Sequence, residues 1–312
     1  MGSEIATRVA YGDALCHLGE ANPKVVVLDA DLSAATQTNK FAKAFPDRFF
    51  DCGIAEGNMM SVSSGLALSG LIPFASTFAM FGAGRAYEQV RNSIAYPRAN
   101  VKVAVTHSGI SVGEDGASHQ CIEDIALMRA MPNMTVVCPS DAVEAYNIIL
   151  AAAEVDAPWY IRLGRSAVPV IHSSDYQFKL GKGEVLKSSS NDDVTIIATG
   201  LMVDKALKAY DILQKQGITA RVVNMATIKP IDSELILKCA RETKAIVTAE
   251  EHNIIGGLGS AVSEVMATSG VAKLGMIGMP DCFGRSGSPA ELFKLYKMTE
   301  NDIADKAIDV LK

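Results

Sequence analysis

The sequence predicts an α/β fold made of two successive α/β domains. Short, continuously apolar runs of strand length alternate with longer segments that have helical spacing, and this alternation lapses once, at about residues 169–193. Continuous apolar strands are typical of a parallel sheet that helices cover on both faces. The length of 312 residues leaves room for two units of this kind.

The first domain is predicted to span residues 1–170. Its β-branched apolar runs predict strands, whereas the segments between them are rich in good helix formers. The predicted strands are Lys24–Leu28, Val101–Thr106, Met134–Cys138 and Trp159–Leu163, and the predicted helices include Arg85–Ser93 and Asp141–Glu154.

A linker is predicted over residues 171–192, where Pro, Ser, Lys and Gly replace the apolar pattern. The alternation resumes in the second domain, residues 193–312. Its predicted strands are Val194–Ala198, Ala220–Met225, Ala245–Ala249 and Leu274–Met279. Its predicted helices are Val203–Gln216, Asp232–Glu242, one after Gly256–Gly259, and Glu300–Leu311 with Thr299 as its N-cap. We interpret Glu250–His252 as structural and expect this domain to pack and to dimerise.

The composition excludes several classes of partner. The 29 Lys and Arg against 35 Asp and Glu give a net charge of −6 without a basic block, which argues against a nucleic-acid partner. No stretch approaches 18 consecutive apolar residues, and the N-terminus lacks a signal-peptide pattern, so we expect a cytoplasmic protein that does not span a membrane. The six cysteines and five histidines are scattered, so neither a disulfide framework nor a metal site within this chain is expected.

Two segments combine acidic or aromatic residues with small ones. Glu56, in Gly53-Ile54-Ala55-Glu56-Gly57, is either a functional carboxylate or a first-turn acid that the helix dipole favours. Phe78 and Phe81, three residues apart, are either core residues or one wall of a flat apolar pocket that stacks a heteroaromatic ring.

Two further segments follow predicted strands, where α/β proteins keep their ligands. The segment 106–120 is the most unusual because it holds two of the five histidines, His107 and His119, with two adjacent acids and three glycines. This content favours a functional loop. Arg165 suits either an anionic group or a surface ion pair.

Together these segments resemble the C-terminal half of transketolase. The matching motifs, in order, are Gly53-Ile54-Ala55-Glu56, Thr77-Phe78-x-x-Phe81, Val112-Gly113-Glu114-Asp115-Gly116-x-x-His119-Gln120 and Leu163–Arg165. The resemblance covers essentially the whole chain from Arg8 onward. It implies a thiamine-diphosphate pyrimidine-binding domain followed by a transketolase C-terminal domain.

Transketolases also have a preceding domain that binds the cofactor diphosphate through Mg²⁺ with a Gly-Asp-Gly motif. No Gly-Asp-Gly occurs in this sequence. The resemblance therefore implies the B subunit of a split transketolase, with the diphosphate site and the Mg²⁺ ligands on a separate A subunit. Because the active sites of the family lie at an interface, we expect an A2B2 heterotetramer.

The resemblance also implies how the cofactor is held. Glu56 would hydrogen-bond the aminopyrimidine ring nitrogen of thiamine diphosphate and favour the imino tautomer that removes the thiazolium C2 proton. Phe78, with Phe81, would stack on the aminopyrimidine, and Asp31 would lie near the thiazolium side. The implied reaction moves a two-carbon dihydroxyethyl unit from a ketose to an aldehyde acceptor.

The substrate contacts follow from the same resemblance. Asp115 and His119 would bind sugar hydroxyls near the reacting carbons, and His119 counts as catalytic beside Glu56. His107, Arg165 and Arg8 would meet the more distal parts of an anionic sugar.

The sequence departs from the family at two positions. Ala35 stands where a serine is expected to contact the sugar phosphate, so Thr36 or Ser33 is the available substitute. Gly84 stands where some transketolases have a tyrosine. These departures leave the identity of the anionic group on the sugar undecided, and a sulfosugar is an alternative to a ketose phosphate.

Two other functions stay open at this point. One is the β subunit of a 2-oxoacid dehydrogenase decarboxylase, which has a similar size and layout. The other is a non-catalytic interaction subunit. His107 and the signature at 113–119 favour transketolase, because sugar hydroxyls need polar groups that a 2-oxoacid does not.

Overall fold

The structure is a computed structural model that describes residues 3–268 and 272–312. Within these ranges the strands fall into two large sheets and one two-stranded ribbon. The strands are β1 (Glu4–Ala6), β2 (Val25–Asp29), β3 (Phe49–Asp51), β4 (Ile72–Phe78), β5 (Lys102–Thr106), β6 (Thr135–Val137), β7 (Trp159–Arg162), β8 (Ala167–Pro169), β9 (Glu184–Lys187), β10 (Val194–Ala198), β11 (Ala220–Asn224), β12 (Thr227–Lys229), β13 (Ala245–Asn253) and β14 (Lys273–Met279).

Helices connect most of these strands. They are α1 (Thr7–Ala21), α2 (Ser33–Thr36), α3 (Asn39–Ala44), α4 (Glu56–Leu68), α5 (Tyr87–Gln89), α6 (Asp124–Ala130), α7 (Ala142–Glu154), α8 (Met202–Lys215), α9 (Ser233–Glu242), α10 (Leu258–Met266), α11 (Pro289–Leu295) and α12 (Glu300–Leu311). Tighter or wider helical turns occupy Pro46–Arg48, Met80–Arg85, Val90–Ala95 and Ile110–Asp115.

The larger sheet has the strand order β12-β6-β7-β5-β4-β2-β3. All of its neighbouring pairs are parallel except β12 with β6. Strands β2, β5 and β7 are buried along their whole length, as the continuous apolar runs predict. One face packs on α1 and α7, while the opposite face packs on α4 and on helices of the second domain. The predicted α/β class is confirmed.

The smaller sheet, with the order β14-β13-β10-β11-β9, belongs to the second domain. Its central pairs are parallel, and β9 joins the edge antiparallel to β11. Strand β9 lies inside the segment predicted as a linker, so part of that segment completes the second sheet. The predicted last helix is confirmed, and Thr299 caps it by accepting the backbone N–H of Asp302.

Three features of the first domain differ from the sequence prediction. Strand β3 is only three residues long, and β4 contains Pro73, so neither shows an uninterrupted apolar run. The helix predicted over Arg85–Ser93 is the middle of a longer helical stretch, Met80–Ala95, which is largely wound with wider turns. Phe78 ends a strand and Phe81 lies in the helical stretch, so the two rings do not share one helix.

The two domains are joined through both their core and a strand. Strand β12 comes from the second half of the chain but pairs with β6 of the first sheet. One apolar cluster contains Val103 of the first sheet together with Val223 and Ile246 of the second. The domains therefore share a continuous core.

Buried charges also link the domains. Arg162 of β7 donates from Nε to Asp124 at 2.8 Å, and from Nη2 to the backbone oxygen of Glu251 in β13 at 2.9 Å. Tyr160 donates its hydroxyl proton to the same Asp124 carboxylate at 2.8 Å. Burial opposes the ionisation of Asp124, but the Arg162 guanidinium overcomes it and lowers the pKa of that carboxyl.

Replacing Asp124 with alanine should destabilise the fold strongly, because the Arg162 guanidinium would stay buried without its counter-charge. The expected loss is about 3–5 kcal/mol in the free energy of unfolding, measured by chemical denaturation. The matched control is Asp204→Ala, which breaks the ion pair with the half-exposed Lys208 on α8 and should cost about 0.3–0.5 kcal/mol. Equal small losses in both variants would contradict the buried-link interpretation.

Candidate active site

The candidate residues gather where the parallel strands of the larger sheet end. Asp31 follows β2, Phe78 ends β4, His107 follows β5, and Arg165 lies three residues beyond β7. Glu56 lies beyond β3 and begins α4. Because neighbouring parallel strands end at the same edge of a sheet, five distant segments meet there.

Glu56 is a buried carboxylate at the first position of α4. Gly53, with φ of +65°, turns the chain between β3 and this helix. The Glu56 side chain is 2% exposed, and its two oxygens lie 2.9 and 3.1 Å from Nη1 of Arg85. Glu56 is thus a first-turn acid. It differs from an acid that merely favours the helix dipole at the surface, because it is buried and paired with an arginine.

Arg85 is the partner that sequence analysis missed. Its side chain is half exposed, and its guanidinium carbon lies 4.5 Å from the centre of the Phe81 ring. Arg85 follows Phe81 by four residues, and that spacing on a helical stretch is the signal that points to it.

Aromatic rings form a wall that Arg85 connects to Glu56. The Phe78 and Phe81 rings are stacked with centres 5.9 Å apart, and the His107 ring stacks on Phe78 at 3.9 Å. The His119 and Phe81 rings pack edge to face, with their centres 5.4 Å apart. Both phenylalanines are partly exposed rather than core residues. A flat ring with a nitrogen that binds a carboxyl group fits this wall, because stacking and the Glu56 hydrogen bond act at its face and its edge.

His107 is buried beside two arginines. It has φ of +57°, and its Nδ1 lies 2.9 Å from the Thr106 hydroxyl. Burial, with the positive charges of Arg8 and Arg165, lowers the pKa of His107 to about 3. The imidazole is therefore neutral at physiological pH and offers a neutral hydrogen-bonding group.

Arg8 and Arg165 are held through backbone oxygens. Arg8 donates from Nη1 to Ala35 at 2.7 Å and from Nε to Arg165 at 3.3 Å. Arg165 donates to the oxygen of Val112, and its Nη1 lies 3.4 Å from Glu114. That ion pair is long and exposed, so it neutralises little of the positive charge that the two arginines place beside His107.

The structure does not join every predicted site residue to this cluster. Asp31, with φ of +62°, and Asp115 are both exposed. In the ranges that the structure describes, no hydrogen bond or ion pair connects either side chain to the aromatic wall. Their roles at the cofactor and at the sugar stay predictions.

The expectation that Thr36 can replace the missing serine at Ala35 is wrong. Thr36 is fully buried and donates its hydroxyl proton to Asp29 at 2.7 Å. Thr38 donates to the same carboxylate at 2.9 Å, and burial raises the pKa of Asp29 to about 6. The Thr36 hydroxyl is thus committed to a buried network, and Ser33 is left as the available substitute.

Neither a metal-ligand cluster nor a membrane-spanning helix is found in the described chain. Across residues 3–268 and 272–312, no group of three His, Cys, Asp or Glu side chains is arranged to hold a metal ion. No helix in those ranges is both long and apolar enough to cross a membrane.

Two family models match the chain. The model described as transketolase, pyrimidine binding domain, matches residues 3–170, and the one described as transketolase, C-terminal domain, matches residues 181–303. The chain is similar to a solved structure described as a split gene transketolase, inactive beta4 tetramer, at 55% identity and a TM-score of 0.92, covering 98% of each chain.

Two short relatives are matched over nearly their whole length. A protein of Methanocaldococcus jannaschii, named as a transketolase C-terminal section, is 50% identical over 98% of this chain and 96% of its own. The 6-deoxy-6-sulfo-D-fructose transketolase subunit SqwH of Clostridium sp. (strain MSTE9) is 40% identical over 97% of this chain and 94% of its own. By contrast, the chain spans about half the length of the mammalian transketolases that it matches at 40% identity.

His107 should stay neutral throughout the physiological range. In an NMR titration of labelled histidines, its ring signals should not shift above about pH 5, because burial and the two arginines oppose protonation. His172 is the internal control, since Asp141 and Glu184 overcome the effect of its burial and raise its pKa to about 9. The His107→Gln variant lacks this ring, so the signal that disappears in its spectrum is that of His107.

The sign of the linked stability follows from the same pKa. The unfolded chain binds a proton at His107 near pH 6.5, whereas the native chain does not, so stability falls as the pH drops from about 6.5 toward 3. A His107 midpoint between 6 and 7 would contradict the placement of this ring beside Arg8 and Arg165.

Proposed function

This chain belongs to the transketolase family, and we propose that it is the B subunit of a split transketolase. In this proposal it supplies the pyrimidine side of a thiamine-diphosphate site and part of the sugar site. The observation that carries the proposal is the buried Glu56 carboxylate, which Arg85 connects to the Phe78–Phe81 wall by pairing with Glu56 while lying over the Phe81 ring. Such a carboxylate beside a flat aromatic surface fits an aminopyrimidine ring.

Thiamine diphosphate, when bound, supplies the carbon nucleophile that takes a two-carbon unit from a ketose and passes it to an aldehyde. Glu56 would hold a proton at the ring nitrogen of the aminopyrimidine, a task that suits a carboxyl group kept away from water. Phe78 and Phe81 would orient the ring by stacking. Arg85 reaches both Glu56 oxygens through its Nη1 alone, and each oxygen keeps a further lone pair for the ring.

The sugar would bind on the histidine side of the wall. Neutral His107 and the half-buried His119 offer hydrogen bonds to sugar hydroxyls, with Asp115 on the same loop. Arg8 and Arg165 would bind the anionic end of the sugar. These polar groups around the wall favour a sugar over a 2-oxoacid.

The anion is a phosphate or a sulfonate, since both present oxygens to a guanidinium in the same way. The similarity to a subunit named for 6-deoxy-6-sulfo-D-fructose supports including sulfosugars among the substrates tested. A comparison of a ketose phosphate with a sulfoketose in the same assay distinguishes the two.

A partner chain would complete the site. In this proposal the residues of the present chain meet the pyrimidine ring, and another chain binds the diphosphate and its Mg²⁺. Two relatives that the chain matches over nearly their whole length are named as a transketolase C-terminal section and as a transketolase subunit, and a similar solved protein is described as an inactive tetramer of a split transketolase. We therefore place the diphosphate and Mg²⁺ ligands on an A-type chain in an A2B2 complex, which we expect to work in the cytoplasm.

Replacing Glu56 with glutamine should slow ketol transfer by the reconstituted complex by roughly 10²-fold or more, the usual scale for losing acid–base assistance. The rate is measured with saturating cofactor, by coupled detection of the released aldose. The matched control is Glu88→Gln, which changes an exposed acid within the helical stretch Met80–Ala95 and should leave the rate unchanged. An unchanged rate in Glu56→Gln would remove Glu56 from the mechanism.

Replacing Arg165 with alanine should raise KM for anionic ketoses by about 10-fold or more, the scale of a lost charge-assisted hydrogen bond. An uncharged short donor such as erythrulose should keep its KM, because it does not reach the arginine pair. Arg91→Ala, which removes an exposed arginine away from the wall, is the control. Equal losses for charged and uncharged donors would contradict an anion-binding role.

A further inference from the structure

We propose that the second domain positions the substrate loop, residues 109–120, and that Glu251 and Gln120 are the positioning residues. The inference rests on the proposed function, which gives Asp115 and His119 of this loop their contacts with the sugar. From its sequence, the second domain is expected only to pack and to dimerise. The contacts of Glu251 and Gln120 connect it directly to the substrate site.

Glu251 of β13 reaches from the second domain to the beginning of the loop. Its Oε1 accepts the backbone N–H of Ser111 at 2.5 Å, and both residues are buried. Gly109 has φ of +74°, and a Cβ atom there would lie 2.3 Å from the Glu251 carboxyl carbon. The carboxyl group therefore packs directly on a glycine and fixes the backbone where the loop starts.

Gln120 fastens the end of the loop. Its side-chain amide donates to the backbone oxygen of Gly113 at 3.2 Å and to that of Arg285, in the second domain, at 2.9 Å. Nearby, a Cβ atom at Gly116 would lie 2.5 Å from the Ser286 hydroxyl. Gln120 thus joins the end of the loop to its middle and also to the segment that precedes α11.

The position of Glu251 is itself fixed by the larger sheet. Arg162 binds the backbone oxygens of Glu251 at 2.9 Å and of Cys121, the residue after the loop, at 3.3 Å. Arg162 lies on β7, an interior strand of the sheet, and is almost fully buried. A connected set of contacts therefore runs from the sheet through Glu251 to the loop.

These contacts hold the inner side of the loop and leave its outer side free for substrate. Asp115 is exposed, and His119 is half buried with its ring edge on Phe81. Displacing a positioned group by about 1 Å can cost about 100-fold in rate. Releasing the loop should therefore impair sugar turnover while leaving the ring site at Glu56, Phe78 and Phe81 in place.

The first test uses hydrogen exchange in the purified chain, with the variants Gln120→Ala, Glu251→Ala and Glu251→Gln. Amides of residues 109–120 should exchange at least about 10-fold faster in both alanine variants, because local opening becomes easier. Glu251→Gln should stay near wild type, because glutamine keeps an acceptor oxygen for Ser111. Burial also raises the pKa of Glu251 to about 7, so a neutral side chain of this shape is already accessible near neutral pH.

The control for general destabilisation is Thr299→Ala, which removes the cap of α12 without touching the loop. Its loop exchange should match wild type. Unchanged exchange in both alanine variants, or equal acceleration in Thr299→Ala, would overturn the proposal. Should Glu251→Ala fail to fold, Gln120→Ala and the rescue by Glu251→Gln decide the question.

The second test measures kinetics in the reconstituted complex. Gln120→Ala should lower kcat/KM for the ketose by about 10- to 100-fold, while the affinity for thiamine diphosphate changes by less than about 2-fold. A parallel loss of cofactor affinity would overturn a specific effect on the sugar side. Absence of ketol transfer in the wild-type complex would instead overturn the proposed function, and the exchange experiment would still decide whether the second domain holds the loop.

Discussion

The parallel arrangement of the larger sheet is the constraint on which the rest of the site depends. Parallel strands direct their carboxyl ends to one edge, so the segments after β2, β3, β4, β5 and β7 must meet there. The apolar strands stabilise this arrangement because both faces of the sheet are buried. The edge is then free to carry polar groups that a buried strand could not hold.

Charge distribution at this edge separates two chemical environments. On one side, the buried Glu56 carboxylate and the Phe78–Phe81 wall suit a flat, hydrogen-bonding ring. On the other, burial together with the positive charges of Arg8 and Arg165 keeps His107 neutral, and the two arginines would attract an anion. The two environments meet at the aromatic wall, where His107 and His119 contact the phenylalanines. This arrangement is consistent with a sugar reacting beside a ring cofactor.

The sequence allowed the fold class to be predicted, for identifiable reasons. Val101–Thr106 and Trp159–Leu163 are long, continuously apolar runs, and the observed β5 and β7 lie within them. Strand β3 is too short, and β4 is interrupted by Pro73, for such a pattern to show. The histidines and phenylalanines singled out by their motifs do contact one another, whereas their roles at a cofactor and a sugar stay predictions.

The missed residues make their main contacts with residues that are distant along the chain. Glu251 meets Ser111 across 140 positions of the chain, and Arg85 meets Glu56 across 29. Likewise, Thr36 carries a suitable hydroxyl in sequence, but folding commits it to buried Asp29. Such pairings depend on tertiary packing within and between the domains, so sequence spacing alone could not supply them.

The measurement that tests the central claim most directly is ketol transfer by this chain, by a candidate A-type chain, and by their mixture. Each sample contains thiamine diphosphate, Mg²⁺, an anionic ketose and an aldose acceptor. If this chain supplies only the pyrimidine side of a shared site, each chain alone is inactive and the mixture turns over. Robust transfer by this chain alone would contradict the account, because the diphosphate site would then not require a partner.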